Sequence, residues 1–262
     1  KPNTGKSTLL NKLANNNRST VSSEPNTTRD AIDIVLPWKD LVFRIIDTAG
    51  LRKKAKTNKM IDRMSSRSSL AAIRESSIVL LLTDASVFLT SQDVHIANKI
   101  LDYKKGVIIV ANKYDKVETT MERLVQEYQY RLPFLYFAPI VFVSAKTGLH
   151  LEQIFPLAAS IQAERKRVIE KNALSRFLKK IIKINPPSQG RGKRKPEIYK
   201  LSQIAIAPPV FKMEVREGDR LPGIWLKYFE RELRKKFGYR GVPLTFKITH
   251  TIKRSPKITK KR

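Results

Sequence analysis

The sequence contains no cysteine. That excludes disulfides and thiolate metal sites, and it suits a reducing compartment. Long apolar runs are missing too. The longest, Ile78–Leu82 and Val107–Ala111, are strand-sized, well short of the roughly 18 residues a membrane-crossing helix needs. No N-terminal targeting segment is visible, and the chain begins abruptly enough that one could lie upstream. Acidic residues are scarce. There are 23 Asp and Glu against 52 Lys and Arg, giving a formal net charge of +29 and a sequence pI near 10.4. The shortage is local: residues 1–164 hold 23 basic and 16 acidic side chains, residues 165–262 hold 29 and 7. An excess that large repels itself unless a polyanion neutralises it. Nucleic acid is the first candidate and an anionic membrane surface the second. A merely solvated lysine-rich surface fits less well, because the excess sits in one part of the chain.

The 262 residues, 41% of them hydrophobic, suffice for two domains with real cores. The first part alternates strands and helices. Strands are expected at Ala31–Pro37, Leu41–Ile46, Ile78–Thr83, Val107–Ala111 and Ile140–Val143. The last three are compact Val/Ile-rich runs of the kind found in buried parallel strands. Amphipathic helices are expected at Gln92–Tyr103, Glu118–Arg131 and Leu151–Arg167. The pattern is α/β, with helices on both faces of a mostly parallel sheet. The second part has another rhythm. A basic helix over Asn172–Ile184 turns Leu174, Phe177, Leu178, Ile181 and Ile182 to one face. A Pro/Gly/basic loop, 185–196, follows. Strands at Ile198–Ile206 and Val210–Val215, a helix over Ile224–Phe237 and a strand at Val242–Thr249 complete the order α-β-β-α-β. This is a small α+β domain. The expected boundaries are 1–167, 168–250 and a basic tail over 251–262.

Four short motifs carry the chemistry. Lys1–Thr8 reads KPNTGKST, which matches a Walker A loop from its second residue on. The first glycine would fall one position before Lys1, so the chain starts inside the motif and the strand normally preceding it is not seen. Gly5 lets backbone amides approach phosphates closely, with Asn3, Thr4 and Thr8 completing the loop. Lys6 neutralises the β- and γ-phosphates, and the Ser7 hydroxyl can bind Mg²⁺. The helix that starts here aims its positive end at the phosphates. Asp47-Thr48-Ala49-Gly50 follows the strand Leu41–Ile46. Asp47 can reach Mg²⁺ through water, and the Gly50 amide can sense the γ-phosphate. Asn112-Lys113-Tyr114-Asp115 follows the strand Val107–Ala111. The Asp115 carboxylate can accept from guanine N1–H and the 2-amino group, a donor pair adenine lacks, so it selects GTP over ATP. The Lys113 stem can pack on the base. Ser144-Ala145-Lys146 follows the strand Ile140–Val143, and the Ala145 amide can donate to guanine O6. Each motif alone could be an ordinary strand-end turn; four in this order are not. Between loop and Asp47 lies Asn26-Thr27-Thr28-Arg29-Asp30. Thr28 is favoured as the threonine that binds Mg²⁺ and the γ-phosphate, ordering a switch segment. Lys6, Thr28 and Gly50 are thus the catalytic candidates, and GTP or GDP with Mg²⁺ the expected ligands.

With these motifs placed, the chain resembles the Era/Der (EngA) group of translation-factor-related GTPases, and most closely the second GTPase domain and C-terminal KH-like domain of the Der family. The loop P-N-x-G-K-S-T, the stretch Thr27-Thr28-Arg29-Asp30 and Asp47–Arg52 all fit Der. So do Pro186-Pro187, the run 228–234 (YFERELR) and the run 237–243 (FGYRGVP). The resemblance covers nearly the whole chain. It implies a GTPase that assists large-ribosomal-subunit assembly, with rRNA, large-subunit proteins or other assembly factors as partners and neither DNA nor membrane. It also implies a catalytic peculiarity. Leu51 follows DTAG where many GTPases carry a water-orienting glutamine. Leucine cannot orient water, so unassisted hydrolysis should be slow. In relatives a K⁺ ion, bound partly by the P-loop asparagine, supplies the missing charge, and Asn3 is the matching residue. Three departures stand out. Der has two tandem GTPase domains and one is present here. Asn26 replaces the usual glycine. The charge is more basic than expected of a free-living bacterial member, which suggests a mitochondrial matrix protein serving a divergent ribosome, with the bacterial cytoplasm as the alternative.

The α-β-β-α-β order fits a KH-like domain, yet no GXXG loop is present; Gly190-Arg191-Gly192 comes near, ahead of the first strand. RNA contact is then expected through phosphates, with Arg191, Lys193, Arg194, Lys195, Lys253 and Arg254 as candidates. Arg231, Arg234, Lys235 and Lys236 lie on the second helix, whose Trp225, Tyr228, Phe229, Leu233 and Phe237 read as core. Arg52, Lys53, Lys54 and Lys56 form a further basic cluster after DTAG. Two other readings stay open: a structural assembly factor that binds GTP with little hydrolysis, which Leu51 and Asn26 favour, and an Era-like small-subunit factor, which the missing GXXG loop disfavours.

Overall fold

A computed structural model describes residues 4–16, 34–46, 70–188 and 194–251. They divide into two compact units, one of residues 1–163 with 240–242, the other of 164–239 with 243–262. The division falls four residues before the expected 167/168. The reason is local: the Glu164 carboxylate accepts from the Tyr239 amide at 2.6 Å and pairs with Arg167, so the chain from Glu164 on bonds within the second unit.

The first unit is built on strand β4 (Gly106–Asn112), whose seven residues are all buried. Its unbroken Val/Ile run suits a strand covered on both faces. Parallel strands β3 (Ile78–Asp84) and β5 (Ile140–Phe142) flank it, giving the order β3-β4-β5. The register sets Asp84 opposite Asn112. Strands β1 (Ile34–Trp38) and β2 (Leu41–Ile45) form an antiparallel hairpin. The hairpin's Phe43 ring lies 4.9 Å from that of Phe155. Helices α1 (Lys6–Asn16), α2 (Ser91–Asp102), α3 (Met121–Arg131) and α4 (Ile154–Lys166) complete the unit, with helical backbone also at 70–75. One core contains Leu81, Ile100, Val107, Ile109, Tyr128 and Phe142.

Several boundaries differ from expectation, each for a capping or turn reason. Helix α3 begins at Met121, not Glu118, because the Thr120 hydroxyl accepts from the Arg123 amide and caps it. A short 3₁₀ turn, Leu151–Gln153, precedes α4 after a left-handed His150, so the expected helix from Leu151 is two pieces. The final strand starts at Thr245, not Val242. Gly241 is occupied in the first unit: its amide donates to Phe137 O and its carbonyl accepts from Val107 N, both at 2.8 Å. Gly241 has φ +71°, and a Cβ there would lie 2.4 Å from Ile161 Cδ1, so neither the turn nor the packing admits a larger residue.

The second unit has α5 (Lys171–Ile184), β6 (Ile198–Ala205), β7 (Val210–Arg216), α6 (Gly223–Phe237) and β8 (Thr245–Thr251), the expected α-β-β-α-β. β7 is central, antiparallel to β6 and parallel to β8. Its core is aromatic. Phe229 stacks with Trp225 at 5.2 Å and meets Phe177 edge-on at 5.4 Å, while Phe246 stacks with Phe211 at 5.7 Å. The Trp225 indole donates to Asn185 O at 2.7 Å. Trp225, Phe229 and Leu233 are thus core residues, as their helical spacing suggested. Tyr239 is fully enclosed, and burial pushes its phenol up to about 12.

Candidate nucleotide-binding site

The site lies where the parallel strands end. β3, β4 and β5 run in one direction, so the loops after them converge, and in such sheets the carboxyl ends of the strands form the ligand crevice. Asn112, the last residue of β4, joins four segments. Its side-chain amide donates to Thr4 O at 2.8 Å. Its side-chain carbonyl accepts from the Ala145 amide at 2.8 Å. Its backbone carbonyl accepts from Ala85 N at 2.7 Å. The side chain is almost fully buried, so these bonds form in a medium where losing one is costly. A further backbone bond, Tyr114 N to Val143 O at 3.0 Å, ties the loop after β4 to the end of β5.

Gly5 faces this junction. Its φ is +87°, and a Cβ would lie 2.3 Å from Asn112 Nδ2. The glycine therefore meets two demands at once: a left-handed backbone and a neighbour with no room to retreat. The residue after it opens α1, and the Leu9 amide already bonds to Gly5 O at 2.9 Å. The first turn of α1 carries no acidic side chain, so its N–H groups and positive dipole end favour an anion.

Lys113 sits in the left-handed region, φ 64°, and leads into a one-turn 3₁₀ helix, Tyr114–Lys116. Its ammonium bonds to Asp84 Oδ2 at 2.5 Å. Burial works against the Asp84 charge, but the Lys113 ammonium and the Ser86 hydroxyl and amide outweigh it and hold the carboxyl below the usual aspartate value. Asp115, one turn on, is exposed. Ser144 is fully buried and closes its own turn: its hydroxyl accepts from Thr147 N at 3.2 Å.

Together these loops line a cavity of about 250 Å³, bounded by Gly5, Thr8, Asn112, Lys113, Asp115, Lys116, Ala145 and Lys146. Three of the four sequence motifs thus meet at one place, although the first lies over a hundred residues before the other two. The fourth lies outside the described residues. So do Asn3, Thr28, Asp47, Gly50, Leu51 and the basic run 52–56. The Ala145 amide, expected to donate to guanine O6, donates to Asn112 Oδ1 at 2.8 Å. Sequence reading also missed Lys116 as a wall of the cavity, Asn112 as the junction and Asp84 as the partner of Lys113. An acidic residue ending a buried strand, next to the one that carries the motif, is the signal that could have found the last.

Comparison with known proteins fits this geometry. Residues 1–113 match the family described as 50S ribosome-binding GTPase, and residues 168–249 match the KH-domain-like C-terminal region of EngA bacterial GTPases. GTPase Der of Natranaerobius thermophilus is 36% identical over 93% of this chain and 56% of its own length. GTPase Der of Fusobacterium nucleatum is 38% identical, again over 93% of this chain and 56% of its own. The chain belongs to the Der (EngA) family of GTPases. It spans about half the length of the Der proteins it matches. A solved structure of Era in complex with MgGDPNP and nucleotides 1506–1542 of 16S ribosomal RNA aligns with 97% of this chain and 91% of its own, at 22% identity and TM-score 0.49. The Der relatives named are bacterial, in line with the bacterial cytoplasm; nothing in them supports the mitochondrial setting that the charge suggested.

The second unit carries the RNA candidates. Arg191, Lys193, Lys253 and Arg254 lie outside the described residues. Lys195 is exposed. Arg194 is engaged: its guanidinium bonds to Asp219 Oδ1 at 3.1 Å, and the other Asp219 oxygen accepts from Glu197 N at 2.8 Å. A phosphate at Arg194 would compete with a carboxylate already bound on both sides. No helix among the described residues is long and apolar enough to cross a membrane.

Proposed function

We propose that the chain binds GTP, hydrolyses it, and assists maturation of the large ribosomal subunit through contact with rRNA. One observation carries the reading: the phosphate loop, the Asn112–Asp115 segment and the Ser144–Lys146 segment line one cavity. Asp115 supplies the base contact that tells guanine from adenine, and Lys113, held by Asp84, supplies the flat stem beside the ring. Gly5 and the first turn of α1 supply the phosphate cradle, with Lys6 its cation. Ser7, in that first turn, fits as one donor to Mg²⁺, with Thr28 and Asp47 completing the set by sequence. When bound, Mg²⁺ would neutralise charge on the β- and γ-phosphates.

Leu51 cannot orient the attacking water. Hydrolysis is therefore slow without help, and we assign that help to K⁺ at Asn3 and to the ribosome. The same leucine favours the second reading, a GTP-binding assembly factor with little turnover. Steady-state GTP hydrolysis in Na⁺ and in K⁺, each with and without large subunits, decides between them. Stimulation by K⁺ and subunits together supports the GTPase. Tight Mg·GTP binding with no stimulation in any arm leaves the binding factor. Failure to bind GTP overturns both. The partner's setting, a bacterial cytoplasm or an organelle, follows from which ribosome co-sediments with the chain.

A further inference from the structure

The strongest unassigned feature is the outer face of α5. Its inner face, Leu174, Phe177, Leu178 and Ile181, is buried in the second unit. Its outer face carries Arg176, Lys179, Lys180 and Lys183, all exposed. Their spacing of three, four and seven residues places them in one stripe about 10 Å long. The helix contains no acidic residue at all.

Six of the unit's eight carboxylates pair with cations off α5; the other two are Glu170, the N-cap residue of α5, and Glu217 after β7. Glu164 pairs with Arg167, Asp219 with Arg194, Glu197 with Arg216, Glu214 with Lys212, Glu230 with Arg234 and Glu232 with Lys235. Helix α6 shows the contrast. Its basic residues include Arg234 and Lys235, each with a glutamate three or four positions earlier on the same helix. On α5 the neighbours at those distances are cations, which destabilise a helix by mutual repulsion. A polyanion along the stripe turns that repulsion into attraction.

We propose that the outer face of α5 is a phosphate-binding surface for the RNA backbone. The inference rests on the RNA reading above and relocates the contact from the Arg194 loop to this helix. Because the apolar face of α5 is already packed in the core, the helix has no apolar face to lay into a bilayer, so a nucleic-acid backbone fits better than a membrane. Recognition is by charge, independent of base sequence.

The test uses the full chain and three variants. One carries R176Q, K179Q, K180Q and K183Q. A second, matched in charge, carries K39Q, R74Q, K104Q and R123Q, exposed positions of the first unit. A third is R194Q alone. Binding to a fluorescent single-stranded RNA of mixed sequence is measured from low to high salt, with GDP binding as the check on folding. Anionic phosphatidylglycerol vesicles form a parallel arm. The α5 variant is expected to lose RNA affinity about tenfold near 0.1 M salt, and its slope of log K against log salt to fall by about 3, at about 0.7 per phosphate contact. The matched variant and R194Q should change little. An equal loss in the matched variant shows that net charge alone acts and overturns the proposal. So does an unchanged α5 variant, which leaves the RNA reading standing. Vesicle binding lost with RNA binding intact assigns the stripe to membranes and overturns it as well. A wild-type chain that binds no RNA at any salt removes the reading and the proposal together.

Discussion

Asn112 does more than its place in the guanine motif requires. Two side-chain bonds and one backbone bond fasten the phosphate loop and the Ala145 loop to the end of β4. Asn112→Ala leaves the Thr4 carbonyl and the Ala145 amide without these partners in a buried place. The expected cost is about 2 kcal/mol in stability, with a larger loss in GDP affinity because both ligand loops loosen. Urea unfolding and fluorescent-GDP titration check it; a variant as stable as wild type would show the junction to be dispensable. Asp115→Asn tests the base contact differently. The amide can donate where guanine also donates, so GTP affinity should fall by about 5- to 150-fold, and a base with a carbonyl at C2, xanthine, should gain; each mismatched bidentate contact is worth about 1–3 kcal/mol. Competition between GTP and XTP reads the switch. Asp84 gives a pH-dependent prediction. Its carboxyl is held below the unfolded value near 3.9, so the stabilisation is present above that value and is lost as pH falls through the lower, folded one. Asp84→Asn should therefore be less stable than wild type at pH 7, and the gap should close below about pH 4. These are the site features that sequence showed least. The motif named Asn112 and Lys113, but Asp84 is near because β3 pairs in register with β4, Ala145 because β5 pairs with β4 on the other side, and Thr4 because the phosphate loop folds onto the end of β4.

At the scale of elements, boundaries follow caps more than hydrophobic pattern. Apolar periodicity placed the described strands and helices α2 to α6 to within a few residues, since burial on one face or two leaves a strong trace; α1 was read from the phosphate-loop motif, and the helical stretch at 70–75 was not anticipated. Periodicity missed the start of α3, the break before α4 and the start of β8. Those depend on the Thr120 hydroxyl, a left-handed His150 and the use of Gly241 in the first unit. None of these alters hydrophobicity, so none shows in it. Helix α2 offers a clean test of capping. The Thr90 side chain accepts from the Asp93 amide, and the Asp93 carboxylate accepts from the Thr90 amide at 2.9 Å. Thr90→Ala should cost about 1 kcal/mol. The nucleotide cavity has no wall from α2, so GDP affinity should hold while the urea midpoint drops. A parallel drop in affinity would tie α2 to the site by a route the contacts do not contain.

For the whole molecule, composition supplies two reporters. The chain has two tryptophans, and each compact unit has one: Trp38 on β1 and Trp225 on α6. Trp38→Phe leaves only the second unit emitting, and Trp225→Phe only the first. The cavity belongs wholly to the first unit. A ligand that binds only the folded state stabilises what it binds by RT ln(1 + [L]/Kd), about 2.7 kcal/mol at a hundredfold excess over Kd. Mg·GDP at that excess should raise the unfolding midpoint seen by Trp38. If the units unfold independently, the Trp225 midpoint stays in place, and nucleotide state cannot reach the basic unit through stability alone. If both midpoints rise together, the chain unfolds as one cooperative block, and binding in the cavity is then felt at α5. Chemical denaturation of the two variants, with and without Mg·GDP, separates these outcomes. A Trp38 midpoint unmoved by saturating Mg·GDP would instead contradict the assignment of the cavity as the nucleotide site.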